Sequence, residues 1–128
     1  MLFDFDLEFV IIKIEKLRGR DMTKIAVLSD IHGNTTALEA VLADVQKAEI
    51  DEYWLLGDIL MPGTGRKNIL QTLETLPITL RVLGNWEESL WRACHRQLDE
   101  TRPSHRYLLR QCQYIMEELS IEDIEALQ

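Results

Sequence analysis

Residues 24–40 read KIAVLSDIHGNTTALEA, and this stretch decides the fold. Ile25, Ala26, Val27 and Leu28 form a continuous apolar run, as expected of a strand buried on both faces of a parallel sheet. A polar turn, Ser29 to Gly33, follows. Asn34 or Thr35 can then cap a helix whose Leu38, Val41, Leu42 and Val45 recur at helical spacing, so that one face packs on the sheet.

The same alternation continues downstream. Tyr53 to Leu56 supplies a second strand, and Pro62, Gly63 and Gly65 mark a loop. Ile69, Leu70, Leu73 and Leu76 outline a second helix that stops before Pro77, because the residue before a proline is driven out of the helical region. Ile78 to Leu83 gives a third strand. From Glu87 onward only helical signals appear, the last beginning at Ser120 with Glu122 and Asp123 behind it, a capping pattern. The sequence predicts β-α-β-α-β followed by helices, an α/β chain with a parallel sheet and right-handed crossovers. Function in such sheets sits at the carboxyl ends of the strands.

Upstream, Phe3, Phe5, Leu7, Phe9 and Ile11 alternate mainly with acidic residues, a period of two that favours a half-buried strand. The chain divides into an N-terminal extension, residues 1–21, and a domain over 22–128. The extension is either an extra edge strand or translated upstream sequence ahead of a natural start at Met22.

Composition narrows the function. The 128 residues carry 22 acidic against 14 basic side chains, a net charge of −8, which argues against nucleic acid as a partner. No apolar run is long enough to cross a bilayer. The two cysteines, Cys94 and Cys112, fall in helical sequence without CxxC spacing, and read as reduced thiols of a cytoplasmic protein.

All three strand ends bear metal-competent residues: Asp30 and His32, then Asp58 after Gly57, then Asn85 after Gly84, with Trp86 and Glu87 following. One residue separates Asp30 from His32; in an extended segment both side chains would leave the same face and hold one cation. A mixed nitrogen and oxygen pair suits manganese, iron or zinc. Asp58, with both carboxylate oxygens free, can bridge two ions, and Asn85 can ligate the second ion and reach a phosphate oxygen.

Asp30-x-His32, Gly57-Asp58 and Gly84-Asn85-x-Glu87, in this order and each after an apolar strand, resemble the first three motifs of the calcineurin-like metallophosphoesterases. The resemblance is strong from Thr23 to Glu87 and weaker over Glu118 to Gln128. It implies the N-terminal half of an αββα sandwich and hydrolysis of phosphomonoesters or phosphodiesters at a dinuclear metal site. Asp30, His32 and Asp58 would hold the first metal, Asp58 and Asn85 part of the second, and Asn85 would also act in catalysis. A small phosphate ester is the implied substrate.

Two departures from the family pattern stand out. Trp86 occupies the position of a histidine that in much of the family protonates the leaving group or orients on the phosphate, a kind of contribution worth about 10² to 10⁴-fold. The sequence also ends before any of the family's later histidine motifs, and His95 and His105 do not match them. The expectation is therefore a truncated domain that is weak or inactive, or a remnant with residual metal binding. Its uncovered sheet face would be closed by a homo-oligomer or by the segment from Phe3 to Ile11, or the chain would stay poorly folded. Other phosphate-handling folds fit less well. A haloacid-dehalogenase type wants an aspartate where His32 stands, and no GxxxxGK[ST] or GxGxxG loop is present. A receiver domain would need paired acids at the first strand end and a lysine after a fifth strand.

Overall fold

The structure is a computed structural model, and it describes residues 12–18 and 21–127, with side chains from Thr23 onward. The elements are β1 (Ile12–Arg18), β2 (Asp21–Leu28), α1 (Thr35–Gln46), β3 (Glu52–Leu55), α2 (Lys67–Glu74), β4 (Ile78–Arg81), α3 (Asn85–Cys94), α4 (Pro103–Met116) and α5 (Ile121–Glu125). They form one sheet in the order β1-β2-β3-β4. β2, β3 and β4 run parallel, so the expected β-α-β-α-β unit with trailing helices is present. An antiparallel strand precedes it: β1 pairs with β2 from Ile12 opposite Val27 to Arg18 opposite Asp21. The alternating segment from Phe3 to Ile11 lies outside the described residues.

Each parallel element forms for a local reason and then buries one face. Ile25, Ala26, Val27 and Leu28 are all at most 3% exposed, so β2 is covered on both sides. Ala26 and Leu28 join Leu38, Val41, Leu42 and Val45 of α1 in one apolar cluster with Tyr53 and Leu55 of β3 and Ile69 and Leu73 of α2. Complete burial of such side chains contributes roughly 1.5–3 kcal/mol each. The side chain of Asn34 caps α1 by accepting from the Ala37 amide at 3.0 Å.

The C-terminal helices extend this core. Leu90 and Ala93 of α3 meet Cys112 and Ile115 of α4, with Leu119, Ile124 and Leu127 beyond them. Pro103 opens α4, where its missing N–H is no loss. Ser120 and Asp123 cap α5 reciprocally: the serine hydroxyl accepts from the Asp123 amide at 3.1 Å and the aspartate accepts from the Ser120 amide at 2.8 Å. Cys94 and Cys112 are free thiols, with their sulfurs 2.8 Å apart.

β4 differs from the interior strands. It is shorter than the expected Ile78 to Leu83, it shifts register against β3 between Tyr53 and Trp54, and among the described residues it is the last strand of the sheet. Leu56, Leu80, Val82 and Leu83 are between 40% and 50% exposed. Among the described residues, apolar exposure on the sheet is thus concentrated beside this edge.

Candidate metal centre

The β2–β3 ladder does not stop where the strands do. Leu56 donates to the Leu28 carbonyl, Asp30 to Gly57, His32 to Asp58 and Gly33 to Ile59, over 2.7–3.1 Å. This continued ladder carries the polar turn after β2 alongside the loop after β3. Asp30, His32 and Asp58 are brought together by it, each with a ligand atom within 4.8 Å of the others.

The expected extended geometry of the Asp30-x-His32 pair is corrected here. Asp30, His32 and Asp58 all take left-handed backbone, with φ of 57°, 49° and 56°, a conformation that costs non-glycine residues of order 1–3 kcal/mol each and clusters at functional sites. The two side chains converge because the turn folds back on itself, and His32 Nε2 lies 3.5 Å from Asp30 Oδ1. The Ser29 hydroxyl donates to the other Asp30 oxygen at 2.5 Å.

His32 is oriented for ligation. Its Nδ1 is hydrogen-bonded to the Met61 carbonyl. A carbonyl can only accept, so Nδ1 donates there and Nε2 is the nitrogen turned toward Asp30, the orientation usual in metal-ligating histidines. One imidazole nitrogen and two carboxylates, partly exposed and preorganised, fit a divalent cation of the transition series.

Asp58 departs from expectation in one respect: its Oδ1 is not free, since it accepts the Trp86 amide at 3.0 Å. That bond ties the start of α3 to the cluster. The approach is close enough to require glycine twice over. Gly57 has φ of 89°, and a Cβ on it would meet the Gly84 nitrogen at 2.2 Å; a Cβ on Gly84 would meet Asp58 Oδ1 at 2.1 Å.

Glu87 holds this junction from below. It is 4% exposed, and its carboxylate accepts from the amides of Asp58 at 2.6 Å, Ile59 at 2.7 Å and Gly84 at 3.0 Å. Three backbone donors on one buried carboxylate are strong, charge-assisted bonds. The sequence placed Glu87 in the third motif but gave it no such role; its spacing of three from Gly84 at a helix start was the available signal.

A second brace is Arg66, which the sequence reading missed. The loop from Pro62 to Gly65 lies on the histidine turn through Gly63 N–H to His32 O at 2.8 Å and Gly65 N–H to Gly33 O at 2.7 Å. Arg66 fastens that loop to α4: it donates to the Tyr114 carbonyl at 2.7 Å, to Glu117 at 2.8 Å and to Glu118 at 2.5 Å, with its guanidinium 4.0 Å from the Tyr114 ring centre. Tyr114 donates in turn to the Thr64 carbonyl at 3.0 Å. No local pattern could have joined residues about fifty positions apart.

Asn85 stands exposed at the first position of α3, one residue beyond the contact between Gly84 and Asp58, and lines a slot beside the cluster. Its backbone carbonyl accepts the Ser89 hydroxyl at 2.8 Å. The remaining histidines are engaged elsewhere. His95 stacks on Trp91 with ring centres 4.3 Å apart and pairs with Glu125 at 3.3 Å, and His105 Nδ1 accepts from the Asp99 amide.

A mixed N/O cluster at the carboxyl ends of a parallel α/β sheet, with glycines at the junctions, defines a candidate site for a divalent metal ion. Residues 23–122 match the model of the calcineurin-like phosphoesterase superfamily domain, and the chain belongs to that family. It is 41% identical over 61 residues to an uncharacterized protein of Methanocaldococcus jannaschii, covering 48% of this chain and 25% of that one. It is 32% identical over 82 residues to a symmetrical bis(5'-nucleosyl)-tetraphosphatase of Sodalis glossinidius, covering 62% and 29%. A crystal structure of a metallophosphoesterase from Sphaerobacter thermophilus superposes with a TM-score of 0.58 at 31% identity, over 82% of this chain and 40% of that one. The chain thus spans between a quarter and two-fifths of the length of these relatives. Among the described residues, no helix is long and apolar enough to cross a membrane.

Proposed function

We propose that this protein is a metal-dependent phosphoesterase acting on small phosphomonoesters or phosphodiesters. The observation that carries the reading is the convergence of Asp30, His32 and Asp58 on one point, with the His32 ring oriented by the Met61 carbonyl. The donor set favours manganese, iron or zinc, with Asn85 contributing to a second ion. When bound, such ions neutralise phosphate charge and lower the pKa of water.

The chain's own residues do the rest. Asp30 and Asp58 supply the negative charge that concentrates cations; His32 presents its Nε2 to the cluster; Glu87 and Arg66 keep the three in register. Asn85, exposed at the first position of α3, can donate its amide to a phosphate oxygen. Trp86 cannot donate a proton to a leaving group as a histidine would, which favours esters whose leaving groups need no acid. A cytoplasmic location accords with the two free thiols, and self-association through the apolar strip around Leu80 and Val82 accords with their exposure.

A second reading is metal binding without turnover. It is favoured by the engagement of His95 and His105 away from the cluster, which leaves three close ligands among the described residues. Hydrolysis of an aryl phosphodiester and an aryl phosphomonoester, with and without manganese and with Asp58→Asn as control, separates the two. Manganese-dependent turnover abolished by the substitution is the expected result. Manganese binding with turnover no greater than that of the control establishes the second reading instead.

A further inference from the structure

The contact between α3 and α4 holds two thiols that the phosphoesterase reading leaves unused. Cys94 is the last residue of α3, and Cys112 sits on α4 two positions before Tyr114. Their sulfurs lie 2.8 Å apart across 18 positions of sequence, nearer than sulfurs come by packing alone. We propose that the pair is a hydroperoxide-reactive site, which closes into a reversible disulfide that clasps α3 to α4 and thereby tightens the metal junction. The modification stands on its own, whereas its effect on the junction rests on the candidate metal centre.

Geometry carries the proposal. The sulfurs of a disulfide are about 2.05 Å apart, so closure asks the two side chains for roughly 0.8 Å between them and leaves both helices in place. Cys112 is 5% exposed and Cys94 partly exposed, so a small oxidant meets the pair from the Cys94 side. With Cys94 as donor, the bond between them pushes the Cys94 thiol up, burial adding to it, and draws Cys112 below the ordinary thiol range despite its burial. Cys112 is therefore the nucleophile. Its sulfur attacks one oxygen of hydrogen peroxide; the O–O bond breaks, and hydroxide leaves as water with a proton equivalent to the one Cys112 shed. The product is a sulfenic acid. Cys94 then releases its proton and attacks that sulfur; the S–S bond forms, the S–O bond breaks, and hydroxide leaves with this proton as a second water. In sum the peroxide gains two electrons, one from each sulfur.

The clasp joins the two braces of the metal cluster. On α3, the Trp86 amide donates to Asp58 Oδ1 at 3.0 Å and the Glu87 carboxylate accepts the Asp58 amide at 2.6 Å. On α4, the Tyr114 carbonyl accepts from Arg66 at 2.7 Å and the Tyr114 hydroxyl donates to the Thr64 carbonyl at 3.0 Å, in the loop over His32. A covalent link between these helices fixes one brace relative to the other before a cation arrives, and such preorganisation raises affinity. In a reducing compartment a disulfide of this kind is transient and redox-sensing.

The test exposes the full chain to a small excess of hydrogen peroxide and maps it with trypsin under non-reducing conditions. Arg96, Arg106 and Arg110 separate the two cysteines, so a peptide pair joined through Cys94 and Cys112, and released by dithiothreitol, reads the disulfide directly. The oxidised chain should melt several degrees above the reduced one, as closing a loop of this length predicts, and bind manganese a few-fold more tightly. Cys94→Ser should abolish the joined peptides, add oxygen to Cys112 in their place and remove both shifts. Two freely alkylated thiols after peroxide, or a bond formed only between two chains, overturns the proposal. Unchanged manganese affinity in a cross-linked chain overturns the link to the junction. A chain that binds manganese in neither form breaks the phosphoesterase reading instead, and the peptide map and Tm still decide the dithiol.

Discussion

The two sides of the cleft are built on different plans. On the side formed after β2 and β3, backbone does the positioning: the ladder continues past the strands, the three candidate ligands sit at positive φ, and glycines permit an approach that leaves no room for a side-chain carbon. On the side formed by the start of α3, single side chains project from a helix: Asn85 is exposed and Trp86 divides two cavities. The geometry of the candidate metal cluster is thus a property of the whole junction, whereas the start of α3 offers a few replaceable side chains. Glu87 and Arg66 belong to the first plan although they touch no ligand atom directly.

The contrast is broken most severely by removing a ligand. Asp58→Ala should weaken manganese binding by more than about 100-fold, beyond the 10–100-fold that loss of a ligand's supporting partner typically causes; calorimetric titration reads this, and tenfold or less would place the cation elsewhere. Glu87→Gln comes next. A glutamine turns its NH₂ toward amides that need an acceptor, so the substitution should cost on the order of 1–3 kcal/mol and lower both Tm and manganese affinity together. An unchanged Tm would show that the junction does not depend on the buried charge.

Arg66→Ala should have a smaller effect. The loop over His32 would lose its fastening to α4, and manganese affinity should fall about tenfold, the low end for a supporting partner. Arg66→Lys should rescue little of this, since one ammonium cannot reproduce the fork to Tyr114, Glu117 and Glu118. Full rescue by lysine would reduce the brace to a simple charge effect. The smallest effect on the site is expected from Leu80→Lys with Val82→Lys at the β4 edge. Exposed substitutions of this kind usually change stability by no more than about 0.5 kcal/mol, so Tm and manganese binding should hold while any self-association seen by sedimentation is lost. A dimer that survives both lysines would require another interface.

How much of this was legible depended on range. The apolar run Ile25 to Leu28, the periodic face from Leu38 to Val45 and the caps at Asn34 and Ser120 are local patterns, and each element formed where its pattern lay. Asp30, His32 and Asp58 were legible as a set because they follow strands whose parallel pairing is itself predictable. The conformation that joins them was not, since an Asp-x-His segment carries no signal of left-handed backbone; the ladder to Gly57, Asp58 and Ile59 imposes it. For the same reason the occupation of Asp58 Oδ1 by the Trp86 amide could not be foreseen.

By itself, then, the sequence determined the order of strands and helices, the polar chemistry at three strand ends and the family those ends belong to, because hydrophobic period and turn chemistry act over a few residues. Only the tertiary structure decided that Glu87 gathers three amides into a junction, that Arg66 and Tyr114 tie the histidine loop to a helix about fifty residues away, and that Trp86 faces two cavities at once. Those outcomes depend on which distant groups share a small volume after the core has packed, and hydrogen bonds and burial are settled by that proximity rather than by neighbours along the chain.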